Sequence, residues 1–336
     1  MRKSRIAGLG SYVPERIVTN DDLKQWVDTS DEWIQERTGI KQRHWVPDGG
    51  GIGSSDLGCE ASKRALADAG LEPKDIQMII FATLSPDHMF PGTGVFLQRK
   101  LGVPAGTAAL DVRQQCTSFI YGLSVADQFI RTGMYDRILF VGAEVHSSGL
   151  DRSTRGRDVT VIFGDGAGAA VITPADEESQ IISTHLHADG NFAEDLWLEY
   201  PSSKEHPQCG VEQISGDHTR HFPKMKGRQV FKHAVPKMAE AVFEALAKNG
   251  VSLADLKMLI PHQANLRINE YVAKQVLGLP DEKCFNNIDH VGNTTAASIP
   301  LALDECRRLG KVQKGDLVCL AAFGAGFTWG SALLRL

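Results

Sequence analysis

The sequence predicts a duplicated α/β fold, in which one unit of buried strands and covering helices occurs twice. Residues 65–80, "ALADAGLEPKDIQMII", return as residues 245–260, "ALAKNGVSLADLKMLI". At a constant offset, Ala65, Leu66, Ala67, Gly70, Asp75, Met78 and Ile80 recur as Ala245, Leu246, Ala247, Gly250, Asp255, Met258 and Ile260. Three more pairs follow in the same order: "LGVP" (101–104) with "LGLP" (277–280), "YDRILFVGAE" (135–144) with "GDLVCLAAFG" (315–324), and "GDGAGAAVI" (164–172) with "GFTWGSALL" (326–334). Ordered echoes of this kind mark an internal repeat.

Taken in chain order, each copy reads as the end of an amphipathic helix, a glycine stop, a turn and a buried strand. Strands that are apolar throughout, alternating with helices, predict mostly parallel sheets covered on both faces. After Cys116, the residues Phe119, Ile120, Leu123, Val125, Ala126, Phe129 and Ile130 go nearly all round a helix, which predicts burial in the core. The polar segment "PADEESQ" (174–180) is the expected seam, giving halves 1–173 and 174–336. A stretch without a counterpart, 198–227, is rich in Pro, Gly, Ser and His and reads as a loop or lid.

Composition narrows the function. With 336 residues and 42 % hydrophobic content, a sizeable core is expected and disorder is not. A formal net charge of −5 argues against general nucleic-acid binding. No apolar run reaches the roughly 18 residues that span a bilayer, and the N-terminal segment makes a poor signal peptide. Six cysteines (Cys59, Cys116, Cys209, Cys284, Cys306 and Cys319) lack framework spacing and read as free thiols in a reducing compartment. The expectation is a cytoplasmic protein.

Candidate chemistry lies at four places. In "DVRQQCTSFIYG" (111–122), Cys116 sits where a polar turn meets the buried helix, where free N–H groups and the helix dipole favour a thiolate. Taken alone, a packed structural cysteine is the simpler reading. In "LIPHQANLRI" (259–268), His262 follows a buried strand, where ligands bind in open sheets; a surface histidine fits equally. In "DHVGNTTAASIP" (289–300), Asn293 precedes another buried helix, as a cap would. The duplication sets this helix start opposite that of Cys116. In "AAFGAGFTWGSALL" (321–334), small residues around Ala325 leave backbone N–H groups open, as an oxyanion hole requires, or simply form a tight turn.

Read together, "DTSDEWIQERTGI", "QQCTSF", "FGDGAGAAVI", "STHLHADG", "PHQANLRI", "GNTTAAS" and "FGAGFTWGSALL" resemble β-ketoacyl-acyl-carrier-protein synthase III of the thiolase superfamily, over essentially the whole chain. The resemblance implies a thiolase-like duplicated five-layer αβαβα fold. It implies a decarboxylative condensation of an acyl-CoA primer with malonyl carrier protein, initiating fatty acid synthesis. Cys116, His262 and Asn293 would be catalytic, with Cys116 and Ala325 supplying the oxyanion hole. Thiolases place a second cysteine where Asn293 stands, so Asn293 favours decarboxylative chemistry. The resemblance further assigns Trp33, Arg37, Gly227, Phe231, Ala264 and Asn265 to CoA and its pantetheine arm. It assigns Lys232, Arg267 and Lys274 to docking of the acidic carrier protein, and Phe90 to the acyl pocket across a homodimer interface. It calls for no cofactor beyond the substrates.

Three departures stand out. "STRGRDVTVIFGDG" offers Arg155 and Arg157 for one adenine-contacting arginine, with Arg155 the first match and the choice between them open. The common "FGGGF" is "FGAGF" (323–327). The longer 198–227 excursion is similar to relatives with larger acyl donors or other acceptors, the quinolone- and resorcinol-forming synthases, which are the alternative. His206, Cys209, His218 and His221 in that excursion have metal-ligand chemistry but a short second gap, and no metal is expected. "GDGAGA" lacks dinucleotide-fingerprint spacing. The papain-type signature is absent, and a non-catalytic module would be expected to have lost one of the three polar residues.

Overall fold

The computed structural model describes residues 2–176, 178–204 and 218–336. Two sheets organise it. The first contains β1 (Ser4–Tyr12), β2 (Met78–Ala82), β3 (Ala108–Val112), β4 (Ile138–Glu144) and β5 (Gly166–Pro174), in the spatial order β1-β5-β4-β2-β3. The second contains β6 (Gln180–Ala188), β7 (Met258–Pro261), β8 (Leu317–Gly324) and β9 (Thr328–Arg335), in the order β7-β8-β9-β6. Leu259 forms a parallel bridge with Cys284, in the place that β3 holds beside β2. The second sheet therefore repeats the order and strand directions of the first.

Among the described residues, the α-helices of five residues or more are α1 (Asp31–Thr38), α2 (Ser54–Ala69), α3 (Thr93–Leu101), α4 (Ser118–Thr132), α5 (Gly227–Asn249), α6 (Leu266–Glu270) and α7 (Ser298–Arg308). Helices α4 and α7 lie between the sheets. Phe119, Ile120, Leu123, Ile299 and Leu303 join one cluster with Ile80 and Phe140 of the first sheet and Ile260 and Leu320 of the second. Alternate strand residues face outward. Ile79, Phe81 and Val141 pack under α2 and α3, whereas Leu259, Cys319 and Leu333 pack under α5. The strands read as unbroken apolar runs because both of their faces are covered. This is the five-layer αβαβα arrangement.

The matched segments have matched structures. Gly70 and Gly250 close α2 and α5 with φ of +66° and +64°, the left-handed cap that glycine adopts without steric cost. The sheets are mixed rather than mostly parallel. Only β2 pairs parallel to both neighbours, and β7 pairs parallel to β8, while β1, β5, β6 and β9 run antiparallel to theirs. The chain turns from β8 into β9 across Ala325, Gly326 and Phe327, far too short a connection for a parallel crossover.

The last strand of the first sheet ends at Pro174, and the first strand of the second begins at Gln180. Within the expected excursion, Lys224–Met225 pairs with Leu196–Trp197, and α5 begins at Gly227. His206 and Cys209 lie outside the described residues. Among the described residues no cluster of metal-binding side chains occurs, and no helix is long and apolar enough to cross a membrane. The described cysteines, Cys59, Cys116, Cys284, Cys306 and Cys319, are all free.

Candidate active site

Cys116 occupies a 3-10 turn, Gln115–Thr117, just before α4. Thr295–Ala297 forms the matching turn before α7. Both turns open on a left-handed residue, Gln115 at φ +43° and Thr295 at φ +45°. That conformation is uncommon for a side chain with a Cβ, above all a β-branched one, and costs on the order of 1–3 kcal/mol. The repeat thus brings two tightly wound helix starts together between the sheets, with Cys116 on one and Asn293 just ahead of the other.

The sulfur of Cys116 is buried, and the backbone N–H groups of Ala325 and Cys116 point to it. Burial nevertheless pushes the thiol up to about 12, and the negative charge of Glu144 adds to the effect. The lowering expected at a helix start is outweighed, because a buried thiolate loses its hydration and α4 itself begins only at Ser118. The resting group is a thiol.

His262 follows β7, and its N–H donates to Ala321 O at 2.8 Å, holding it in line with the strand. Burial keeps the imidazole neutral, lowering its pKa to about 3. Nδ1 lies 2.5 Å from Ser298 Oγ, while Nε2 is buried without a partner among the described residues. Asn293 Oδ1 accepts the Thr295 N–H at 2.9 Å, so the amide presents its NH2 group instead. Asn293 is also tied to the first half: its N–H donates to Ile162 O at 2.9 Å, and its carbonyl accepts from Gly164 N at 3.0 Å.

Cys116, His262 and Asn293 line one cavity of about 660 Å³, together with Trp33, Arg37, Gly227, Phe231, Ala264 and Asn265. The first three are at most 9 % exposed. Phe231, Arg37, Arg228 and Arg267, which also line the cavity, are exposed. The cavity is therefore a cleft running from a cationic mouth to a buried polar end.

Other expected residues lie elsewhere. Arg155 pairs with Asp151 at 2.7 Å, sits over Phe222 and lines a different cavity. Arg157 lies 4.6 Å from the Trp33 ring centroid, with Arg37 at 4.3 Å. Of the two arginines left open by the sequence, Arg157 stands beside Trp33 and Arg155 does not line the Trp33 cavity. Lys274 is held by Asp281 at 3.0 Å and Glu270 at 3.7 Å beside another cavity, not at the mouth. Lys232 is exposed beside Phe231 but does not line the cleft, which leaves Arg267 as the lining member of the cationic trio. Phe90 is 86 % exposed and lies outside the cleft.

Sequence reasoning missed Arg228, Ser298 and Glu144. The Glu144 carboxylate accepts from Thr83 Oγ1 (3.0 Å), Ser85 Oγ (2.6 Å) and the N–H groups of Leu84, Ser85 and Ala296. Burial still raises its pKa to about 7. Its signal was a lone acid ending the apolar run "ILFVGAE", where the second copy has Gly324.

The family model for 3-oxoacyl-[acyl-carrier-protein (ACP)] synthase III matches residues 110–190, and its C-terminal counterpart matches residues 246–336. A β-ketoacyl-[acyl-carrier-protein] synthase III from Xanthomonas euvesicatoria pv. vesicatoria is 50 % identical over 332 residues, covering 99 % of this chain and 98 % of the relative. The chain belongs to the β-ketoacyl-[acyl-carrier-protein] synthase III family. A synthase III from Methylococcus capsulatus is 46 % identical, with 99 % of both chains covered. The crystal structure of the synthase III from Aquifex aeolicus superposes with a TM-score of 0.89 at 40 % identity, covering 99 % of this chain and all of that one. Synthase III relatives this similar over the full length do not favour the quinolone- or resorcinol-type alternative.

Proposed function

We propose that this chain catalyses the initiating condensation of fatty acid synthesis, joining an acyl-CoA primer to malonyl carrier protein with loss of carbon dioxide. The observation that carries this is the convergence of Cys116, His262 and Asn293 at the buried end of one cleft. Family membership supports it.

In the first half-reaction the Cys116 sulfur attacks the acyl-CoA thioester. The S–H bond of Cys116 and the acyl–S bond of CoA break, an acyl–S bond to Cys116 forms, and the proton leaves with the CoA sulfur. Charge gathers on the carbonyl oxygen, where the N–H groups of Cys116 and Ala325 act. Removing one such donor costs about 2.7–4 kcal/mol of barrier. Trp33 and Arg157 take the adenine at the mouth, and Phe231, Gly227, Ala264 and Asn265 guide the pantetheine arm.

In the second, His262 Nε2–H and the Asn293 amide donate to the malonyl thioester oxygen. The malonyl C–C bond breaks, carbon dioxide departs and an enolate remains. Its carbon attacks acyl-Cys116, and the released sulfur takes up a proton. A neutral imidazole and an amide suit this task because both donate without titrating across the working pH. Arg267 and Lys232 meet the acidic carrier protein, and the exposed Phe90 joins a homodimer.

Intact-protein mass spectrometry with a panel of acyl-CoAs tests the first half. An adduct that persists in Cys116→Ala sinks it. His262→Ala is expected to acylate yet release little carbon dioxide from malonyl carrier protein; lost acylation with normal decarboxylation overturns the assignment. Arg267→Glu is expected to weaken use of the carrier protein and flatten its salt dependence.

A further inference from the structure

Ser298 lies against the ring of His262. This buried serine opens α7, and its Oγ lies 2.5 Å from His262 Nδ1. The Gln263 N–H also points at Oγ, at 3.5 Å. A hydroxyl has one proton to give and two lone pairs to receive. With Gln263 donating to the oxygen, the hydroxyl proton needs an acceptor, and Nδ1 is the acceptor within reach among the described residues.

The internal repeat supplies the control. Ser118 opens α4 as Ser298 opens α7, following "CT" where Ser298 follows "AA". The first copy has Ala82 at the place of His262. There the buried Ser118 hydroxyl finds no hydrogen-bond partner among the described residues. The helix start itself thus offers no acceptor for the serine proton. What the second copy adds is the histidine ring.

We propose that Ser298 is a positioning residue that donates to Nδ1 of His262 and so holds the ring as the Nε2–H tautomer, aimed as a donor into the cleft. The hydrogen bond at one ring nitrogen sets the protonation of the other. The buried, unpartnered Nε2 then awaits an acceptor, which the malonyl thioester oxygen supplies. In this tautomer His262 is not a base for the Cys116 thiol, and the serine serves condensation rather than acylation. This rests on the functional reading above.

Selective 15N-histidine labelling of the full-length protein reads the tautomer directly, with the His262 signals identified by their loss in His262→Asn. The wild type is expected to carry its proton on Nε2, and Ser298→Ala to show a mixture or the Nδ1–H form. Ser298→Ala is further expected to lose about 10–100-fold in carbon dioxide release, by analogy with metal-ligating histidines that lose an orienting partner, while acylation changes little. Ser298→Thr, which keeps the hydroxyl, is expected to restore both tautomer and rate. A wild-type ring protonated on Nδ1 overturns the proposal whether or not the variant folds, and so does an unmoved tautomer in a folded Ser298→Ala. A wild-type enzyme that does not decarboxylate malonyl carrier protein overturns the functional reading instead and leaves the tautomer measurement intact.

Discussion

Gly324 and Cys116 touch across the interface between the two halves: a Cβ built on Gly324 would lie 2.4 Å from the Cys116 Cβ and 3.1 Å from its sulfur. The absent side chain is what lets the nucleophile reach the cleft beside the Ala325 N–H. Gly324→Ala is therefore expected to shift Cys116. Misplacement of reacting atoms by around 1 Å costs about a hundredfold. Acylation is expected to fall by that order, with a smaller overpacking cost of about 1–3 kcal/mol in stability. Self-acylation rates alongside a denaturant titration separate the two. Full-rate acylation would show that the contact is relieved without moving the sulfur.

The Cys116 thiol is pushed up to about 12 by burial. A raised thiol pKa means that the reactive thiolate keeps growing with pH beyond the ordinary cysteine range near 8.5. Alkylation of Cys116 by iodoacetamide is expected to rise about tenfold per pH unit from 7 to 9, without levelling. Peptide-resolved mass spectrometry measures it. A plateau near pH 7 would mean that the N–H groups at the sulfur outweigh burial.

Arg157 and Arg155 are expected to differ. Loss of a cation–π partner at Trp33 costs about 0.5–2 kcal/mol, which is roughly a two- to thirtyfold rise in KM for acyl-CoA in Arg157→Ala. Arg155→Ala, whose guanidinium is held by Asp151, is expected to leave KM unchanged. Steady-state acylation kinetics of both variants decide.

His290 sits between Asp289 at 2.9 Å and Glu305 at 3.0 Å, and these carboxylates raise its pKa to about 9. A folded-state pKa above the unfolded value near 6.5 contributes stability that is fully present below 6.5 and lost as pH rises through 9. His290→Gln is expected to remove that part of the pH dependence. Thermal unfolding of both proteins from pH 6 to 9.5 tests it; parallel curves would mean that the pair contributes nothing.

Cys116, His262 and Asn293 were singled out by the family resemblance; the sequence by itself determined the duplication, the buried strands and the glycine-capped helices. Those features are local or periodic. Gly70 and Gly250 mark helix ends because only a residue without a Cβ enters the left-handed region freely, and a strand covered on both faces must be apolar throughout. The tertiary structure alone decided which arginine faces Trp33, that Lys274 is already paired, and that the sheets are mixed. It also decided that Ser298 lies against His262 and that the charge of Glu144 acts on Cys116. These relations join residues far apart in the chain. The thiol's ionisation was beyond sequence for the same reason. A helix start can be read from neighbouring residues, whereas the burial that opposes it comes from two sheets closing over the sulfur.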